Sequence, residues 1–597
     1  MRRLVMCVST TILLFSISIS VPVFGQTPNN ALQVTNFIPI PNWTSAASFD
    51  ALWFDAQNGV AYIADRINDG ATAIDAKTMT YIGTSVAPGC GINTATTSPS
   101  QTNCRPSGIL VTPDTQKLVF TGRGPSGANS NAPAPGIWVF DLKAPTAPPV
   151  LIQTLAGPDF VDYNPVNQLV YVKTAPPGSS DNPIVIADPV SGKAVGQLSV
   201  GAGIEQMHFN PVDGFIYVAI TDAGQQAMAK VDPSTNTIVT RFPLRTSSGP
   251  CTPHQFEIDP TTDIAVVGCS EAAVAMDLHN GNIINTYPLN VNTDTTGFDL
   301  NLHHLYLTTT GGAASSGCPQ DSGGNYPVVG VVASAAAASP LPTQTPGQLV
   351  GVACGGRGEK GAATDPVNHN TFVATPQYPV NASSNSTGQP GLLVFHDSAP
   401  TSTPSAWSQA TLGTNGTATI AMDGRTMRVF ANLSGLTDAP THLVVTTTAG
   451  NEIVPCNEAR GAAICSGVLY GDPLIGGVVL LANNGALLSK GTIAATTPLV
   501  VTGLTFDTTA SHQGSSYGST VAGSGLTAQT YFDIRFRAPG SNVDATAFNW
   551  QTGATAFQNV PAGTPTGTWT ITGVRAHQDP ADHTGSFVTV SVALTVQ

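Results

Sequence analysis

The stretch Phe209-Asn210-Pro211-Val212-Asp213-Gly214-Phe215-Ile216-Tyr217-Val218 decides how this chain is read, together with Ala229-Lys230-Val231-Asp232-Pro233-Ser234-Thr235-Asn236 and Thr237-Ile238-Val239. Asn-Pro and Asp-Gly supply a tight turn between two apolar, β-branched runs, and Asp-Pro-Ser-Thr-Asn supplies the next. Asn164-Pro165, Leu169-Val170-Tyr171-Val172 and Val185-Ile186-Ala187-Asp188-Pro189 repeat that grammar one unit earlier. Aligning the copies on the second strand gives seven landmarks, Tyr62, Val119, Tyr171, Tyr217, Val266, Tyr306 and Phe372. Their spacing is close to the roughly 40 to 50 residues of one four-stranded propeller blade plus loop insertions.

The expected fold is therefore all-β: a seven-bladed β-propeller over 26–398, followed by one or two β-sandwich domains. Each small twisted sheet cannot bury both faces alone, and radial stacking buries them. The seventh copy ends at Gly391-Leu392-Leu393-Val394-Phe395, and Leu32 to Pro39 is an unused strand near the start. This N-terminal strand is expected to complete the seventh blade.

At these residues the chain resembles the YVTN-type β-propeller family, a relative of lactonase-like propellers, over roughly residues 31 to 398. The resemblance implies an extracytoplasmic propeller, in a wider group that includes sugar-lactone hydrolases. The copies at 62, 171 and 217 follow the family pattern closely; those at 119, 266 and 372 depart from it.

A Ser-, Thr- and Pro-rich linker is expected over 399–412. Beyond it, alternating runs such as Thr417 to Met422, His442 to Thr447 and Gly567 to Val574 read as strands. Residues 413–498 are expected to form a β-sandwich module of unnamed type. Residues 499–597 resemble an immunoglobulin-like sandwich of the kind that ends many bacterial exported proteins.

Met1-Arg2-Arg3 followed by an apolar run to Phe24 has the layout of a signal peptide, 1–25, with an uncleaved anchor as the competing reading. The expected location is secreted or cell envelope, with no integral membrane segment after leader removal. Eight cysteines then remain, an even count that suits disulfides in an oxidising compartment. No C-x-x-C pair speaks for zinc. Sequence alone leaves 105 pairings open. Blade geometry favours Cys90 with Cys104, Cys251 with Cys269, and Cys318 with Cys354, the last two placed in loops flanking the long insertion of the sixth unit. Cys456 with Cys465 is the expected fourth pair.

Only 10% of residues are charged, the net charge is −14, and no basic run follows Arg3, which speaks against a nucleic-acid binder. The G-x-G-x-x-G matches at Gly122 and Gly356 open no helix, and Gly514-Ser515-Ser516-Tyr517-Gly518 lacks the strand-turn-helix context of a nucleophile elbow. Arg575 to His583 reads as a loop tip of turn-forming residues, with metal binding as its sharper alternative.

The repeat register supplies the candidate site. Twelve residues before each landmark lie Asp50, Ser107, Asp159, Glu205, His254, Asp294 and Lys360, expected to ring one channel mouth as ligand-binding residues. Asp50, Asp159, Glu205 and Asp294 form the expected metal set, and a divalent cation such as calcium is the cofactor their oxygens would suit. The leading functional reading is an exported propeller binding a protein, glycan or small ligand on its loop-rich face, with C-terminal spacer or adhesion modules. A metal-assisted, lactonase-like hydrolase is the enzymatic alternative, and a purely structural envelope protein needs no site.

Overall fold

The computed structural model describes residues 32–597 except 43–47, 92–103, 125–132, 248, 288, 290–293, 310–317, 319, 321–326, 335–345, 379–387, 399–406, 424–425, 437, 460–461, 484–485, 497–498, 527–529 and 578–585. The expected signal peptide lies outside the described residues. Among the described residues there is no helix, and the chain is all-β.

Residues 32–397 contain seven propeller-like, four-stranded antiparallel sheets among the described residues. Sheets one to six are built from consecutive strands and occupy 49–85, 106–153, 157–198, 204–243, 253–287 and 297–354. Sheet seven combines Gly361–Asp365, Asn370–Tyr378 and Gln389–Asp397 with the N-terminal strand Leu32–Pro39, which pairs antiparallel with Gln389–Asp397. That pairing is the one expected from the unused N-terminal strand.

One register runs through all seven sheets. Trp53 opposes Tyr62, Leu110 opposes Val119, Asp162 opposes Tyr171 and His208 opposes Tyr217. Glu257 opposes Val266, Gly297 opposes Tyr306 and Ala363 opposes Phe372. The copies that depart in sequence therefore keep the same pairing.

The turn after each first strand explains the Asp and Asn of the repeat. Asp55, Asn164, Asn210, Asp259, Asp299 and Asp365 each accept a bond from the backbone N–H two residues on, at 2.8 to 3.1 Å. This side-chain turn competes successfully with continuation of the strand. Each turn ends on a residue in the left-handed region, which is glycine at Gly59 and Gly214 but Gln116, Gln168, Asp263, His303 and His369 elsewhere. The cost of that backbone state is offset because these side chains reach back to the preceding sheet. His303 meets Asp259 at 2.9 Å, His369 meets Asp299 at 2.6 Å, and Asn210 donates to Asp263 at 2.6 Å.

Between sheets lies apolar packing. One buried cluster joins sheets one and two through Tyr62 and Ala64 with Ile109 and Phe120. Another joins sheets six and seven through Tyr306, Val329, Val373 and Leu393, and a third joins seven and one through Phe372, Val394, Phe49 and Ile63. At Gly108 the approach is so close that a Cβ would stand 2.4 Å from the carbonyl oxygen of Asp159.

The stretch expected as a linker is partly sheet: Trp407–Thr411 is a strand of a nine-stranded sheet that extends to residue 495. Its Ser, Thr and Pro content misled because five residues suffice for an edge-proximal strand. The strands His442–Thr447 and Val478–Ala482 are buried on both faces, which accounts for their unbroken apolar runs. Leu443, Val445, Val479 and Leu481 face the core of their own module. Val444, Val478, Leu480 and Ala482 join the cluster between sheets three and four. This module is thus seated against the sheets by its own apolar face.

Residues 500–596 form a three-stranded and a five-stranded sheet around Val501, Leu504, Phe532, Ile534 and Val574. Arg575 and His577, expected at a loop tip, lie instead on the strand Gly567–His577 and bind the fully buried Asp533 at 2.8 and 3.0 Å. The rest of that loop lies outside the described residues.

All four expected cysteine pairs stand at disulfide distance. Cα separations are 5.2 Å for Cys90 with Cys104 and 5.3 Å for Cys251 with Cys269. They are 5.2 Å for Cys318 with Cys354 and 4.0 Å for Cys456 with Cys465. The placement of Cys354 differs from the expectation of a loop. Cys354 is the last residue of the strand Gln348–Cys354, directly opposite Val328, because the ladder of sheet six runs on to that point. Cys465 likewise sits within a strand, Ala462–Leu469, and opposes Cys456 across the ladder. The fourth bridge therefore fastens two neighbouring strands of the nine-stranded sheet and takes no part in the channel mouth.

Candidate functional site

The register argument brings the expected ring together. Asp50, Ser107, Asp159, Glu205, His254 and Asp294 line one small pocket where the first strands begin. Lys360 does not line it but stands beside it, its Nζ 3.6 Å from Asp294 and its carbonyl accepting from the Asp294 N–H at 2.6 Å. Irregularities near the start of five first strands lift these residues out of the regular ladder and toward the mouth.

Their charges are already answered. Arg66 pairs with Asp50 and donates to Ser107 Oγ at 2.9 Å, tying two ring positions together. Arg123 pairs with Asp159, and Lys173 bridges Asp159, at 2.8 Å, and Glu205. Burial alone would lift the Asp159 carboxyl, but Lys173 and Arg123 hold it well below the usual carboxylate range. Burial would likewise lower Lys173, and Asp159 and Glu205 outweigh that effect and raise it. His254 is held by Ser270 Oγ at 2.7 Å.

These pairs weigh against the expected metal set. Asp50, Asp159 and Asp294 each face a resident cation, and Glu205 shares Lys173. A divalent ion would have to displace those cations from every ligand. The only group of three ligand-type side chains in coordinating reach among the described residues is Asp69 with Cys90 and Cys104. Those two sulfurs are joined to each other, and Asp69 accepts the N–H groups of Gly91 and Arg105 at 2.9 and 2.8 Å, which folds the disulfide loop. The metal-assisted hydrolase reading therefore lacks a free ligand set at the ring.

Sequence reasoning missed the basic partners. Arg66 and Arg123 each lie four residues after a landmark, so the same arithmetic applied to the second strand would have found them.

It also missed a larger cavity of about 260 Å³ deeper between the first strands. There Asp162, His208 and Glu257 occupy one register on three successive sheets, where other copies carry Trp53, Leu110, Gly297 or Ala363. His208 Nδ1 is 3.5 Å from Asp162 and Nε2 is 3.8 Å from Glu257, with the ring edge-on between Phe160 and Phe256. Burial alone would lower the imidazole, and Glu257 and Asp162 more than offset it and raise it to about 9. It is an imidazolium at neutral pH, unsuited to act as a general base there.

The nine-stranded sheet lines one end of this cavity. The hairpin of His442–Thr447 and Gly450–Ala459 contributes Thr446, Asn451 and Glu452 from its strands and Ala449 from its turn to the lining. His442 donates to the Pro165 carbonyl, Lys490 to that of Val212 at 2.9 Å, and Gln57 to Tyr470 Oη at 3.2 Å. Burial, with Asp55 and Asp114 nearby, pushes the Glu452 carboxyl up to about 8.

No protein-family model matches the chain, and no curated protein matches it. Among solved structures, a chain of the mitotic checkpoint complex aligns at 11% identity and a TM-score of 0.38, covering 66% of this chain and 98% of that one. The β-propeller domain of Myceliophteria thermophila Cps50 (Swd1) aligns at 10% identity and a TM-score of 0.39, covering 61% and 99%. Superpositions this loose carry no functional inference.

Proposed function

We propose that the seven sheets close as a seven-bladed propeller, that the protein is exported, and that its charged, loop-bearing mouth binds a protein partner. The observation that carries this reading is the chain's own hairpin, His442–Thr447 with Gly450–Ala459, lining the opposite end of the cavity and presenting Glu452 to it. That leaves the end ringed by Asp50, Asp159, Glu205 and Asp294 with their basic partners as the open binding face. Buried apolar clusters linking neighbouring sheets, including seven to one, support closure of the ring. In a chain with 10% charged residues, so many paired charges at one mouth favour a partner that exchanges ion pairs with it. The bridges of Cys90 with Cys104, Cys251 with Cys269 and Cys318 with Cys354 brace loops of this part of the fold, and four such pairs suit an oxidising compartment. The YVTN type and an immunoglobulin-like terminal module remain part of this reading.

Binding of extracytoplasmic proteins to the immobilised full chain tests it, with Arg123→Glu plus Lys360→Glu at the mouth compared with Lys143→Glu on an outer turn. A protein partner lost with the mouth pair and kept with Lys143→Glu supports the reading. A partner indifferent to the mouth pair, or saturable binding of glycans alone, overturns it.

A further inference from the structure

The internal cavity has a composition of its own. Four carboxyl groups, Asp55, Asp162, Glu257 and Glu452, reach its lining against one base, His208, and no Lys or Arg contributes among the described lining residues. The rings of Phe54, Phe160 and Phe298 supply apolar wall. Gln206 is 2% exposed and accepts the Phe256 N–H through Oε1 at 2.9 Å, while its Nε2 is buried with no hydrogen-bond partner. An unanswered buried donor of this kind costs roughly 1 to 3 kcal/mol.

We propose that this cavity binds a small organic ammonium compound, its cation against Asp162 and Glu257, its apolar body against the phenylalanine rings, and an acceptor atom or π face toward Gln206 Nε2. An anion is repelled by the carboxyl excess. His208 answers only one of the two carboxylates that flank it, so an entering ammonium completes the charge balance of the register. Aromatic faces add attraction for a desolvated cation. A bare metal ion is a poorer fit, because Asp162, His208 and Glu257 do not gather their ligand atoms to coordinating reach. The volume admits a single small molecule and no peptide or glycan chain. Phe160 and Gln206 line both this cavity and the mouth pocket, so the two adjoin. Burial raises the Glu257 carboxyl, with Asp162 adding to the effect and His208 opposing it.

Calorimetric titration of the full chain with benzylamine, beside benzyl alcohol and benzoate, tests the proposal. Benzylamine is expected to bind saturably and at least about tenfold more tightly than the alcohol, a difference of about 1.4 kcal/mol. Benzoate should not bind. Glu257→Gln should weaken binding about tenfold or more. If that variant does not fold, Gln206→Leu takes its place and should weaken binding severalfold. The proposal is overturned by absence of saturable benzylamine binding, by equal affinity for the alcohol, or by unchanged affinity in the folded variant tested.

Discussion

His442 Nε2 donates a hydrogen bond to the carbonyl oxygen of Pro165 at 2.9 Å, fastening the nine-stranded sheet to the turn of sheet three. The ring nitrogen is the donor because a carbonyl can only accept. Both groups are buried by apolar residues shared between the module and sheets three and four. Replacing His442 by Ala leaves the carbonyl unanswered, and a loss of about 1 to 3 kcal/mol is expected. Urea unfolding of the full chain measures it, with faster proteolysis of the 442–482 region as a second readout.

The same interface sets a pH dependence. Glu452 is raised to about 8 from the ordinary 4.5, so the docked state holds a proton that the released state gives up. Its contribution is fully present below about 4.5 and is lost as pH rises through about 8. His442 is lowered by burial below 6.5, so its contribution is present above 6.5 and declines as pH falls below that. Between pH 6.5 and 8 His442 adds no slope, and the Glu452 slope adds to those of the other raised groups, His208 and Glu359. Glu452→Gln is expected to flatten the fall in melting temperature across that window, as read by calorimetric scans in matched buffers.

Lys173 is the cation on which the mouth depends most, since it answers both Asp159 and Glu205. Lys173→Met removes it and leaves Asp159 short of counter-charge, at an expected cost of about 3 to 5 kcal/mol. The lowered carboxyl of Asp159 contributes stability above the usual carboxylate range that is lost only as pH falls through its depressed value. The variant should therefore also show a weaker stability gain between strongly acidic and neutral pH.

Because resident cations answer the ring carboxylates, chelators should leave the melting temperature unchanged. A drop of several degrees in chelator, restored by calcium, would return the ring to the metal set first read from the sequence.

Much of this fold was legible because a propeller-like repeat writes its register into the chain. The landmarks Tyr62 to Phe372 fixed the pairing of first and second strands even where the local motif fails, as at Val119 and Val266. The ring residues followed from the same count, because identical register positions on packed sheets converge on one mouth. What stayed hidden was contact across sequence distance. Nothing local says that Lys173 of sheet three meets Glu205 of sheet four, or that Glu452 reaches the cavity of another module. The apolar runs at Leu443 to Val445 and Val478 to Leu481 did carry a signal, since burial on both faces implies a second packing partner.

Reduction tests the bracing of the rim. Cys251 and Cys269 close a loop with a sequence separation of 18, and loss of such a bridge is expected to cost about 3 kcal/mol. Cys251→Ser plus Cys269→Ser should lower the melting temperature and leave a smaller further drop on adding reductant.

Carboxyl footprinting of the full chain with carbodiimide and glycine ethyl ester tests the central claim, that one end of the channel is filled from within and the other is open. Glu205 and Asp294 have side chains 37% and 38% exposed, whereas Glu452 is 7% exposed. A protonated carboxyl is the more reactive form, so Glu452 would label fast if solvent reached it. The account predicts rapid labelling at Glu205 and Asp294, labelling at Asp55 and Glu452 slower by about tenfold or more, and faster labelling of Glu452 in the His442→Ala variant. Glu452 labelling as fast as Glu205 in the wild-type chain would contradict it.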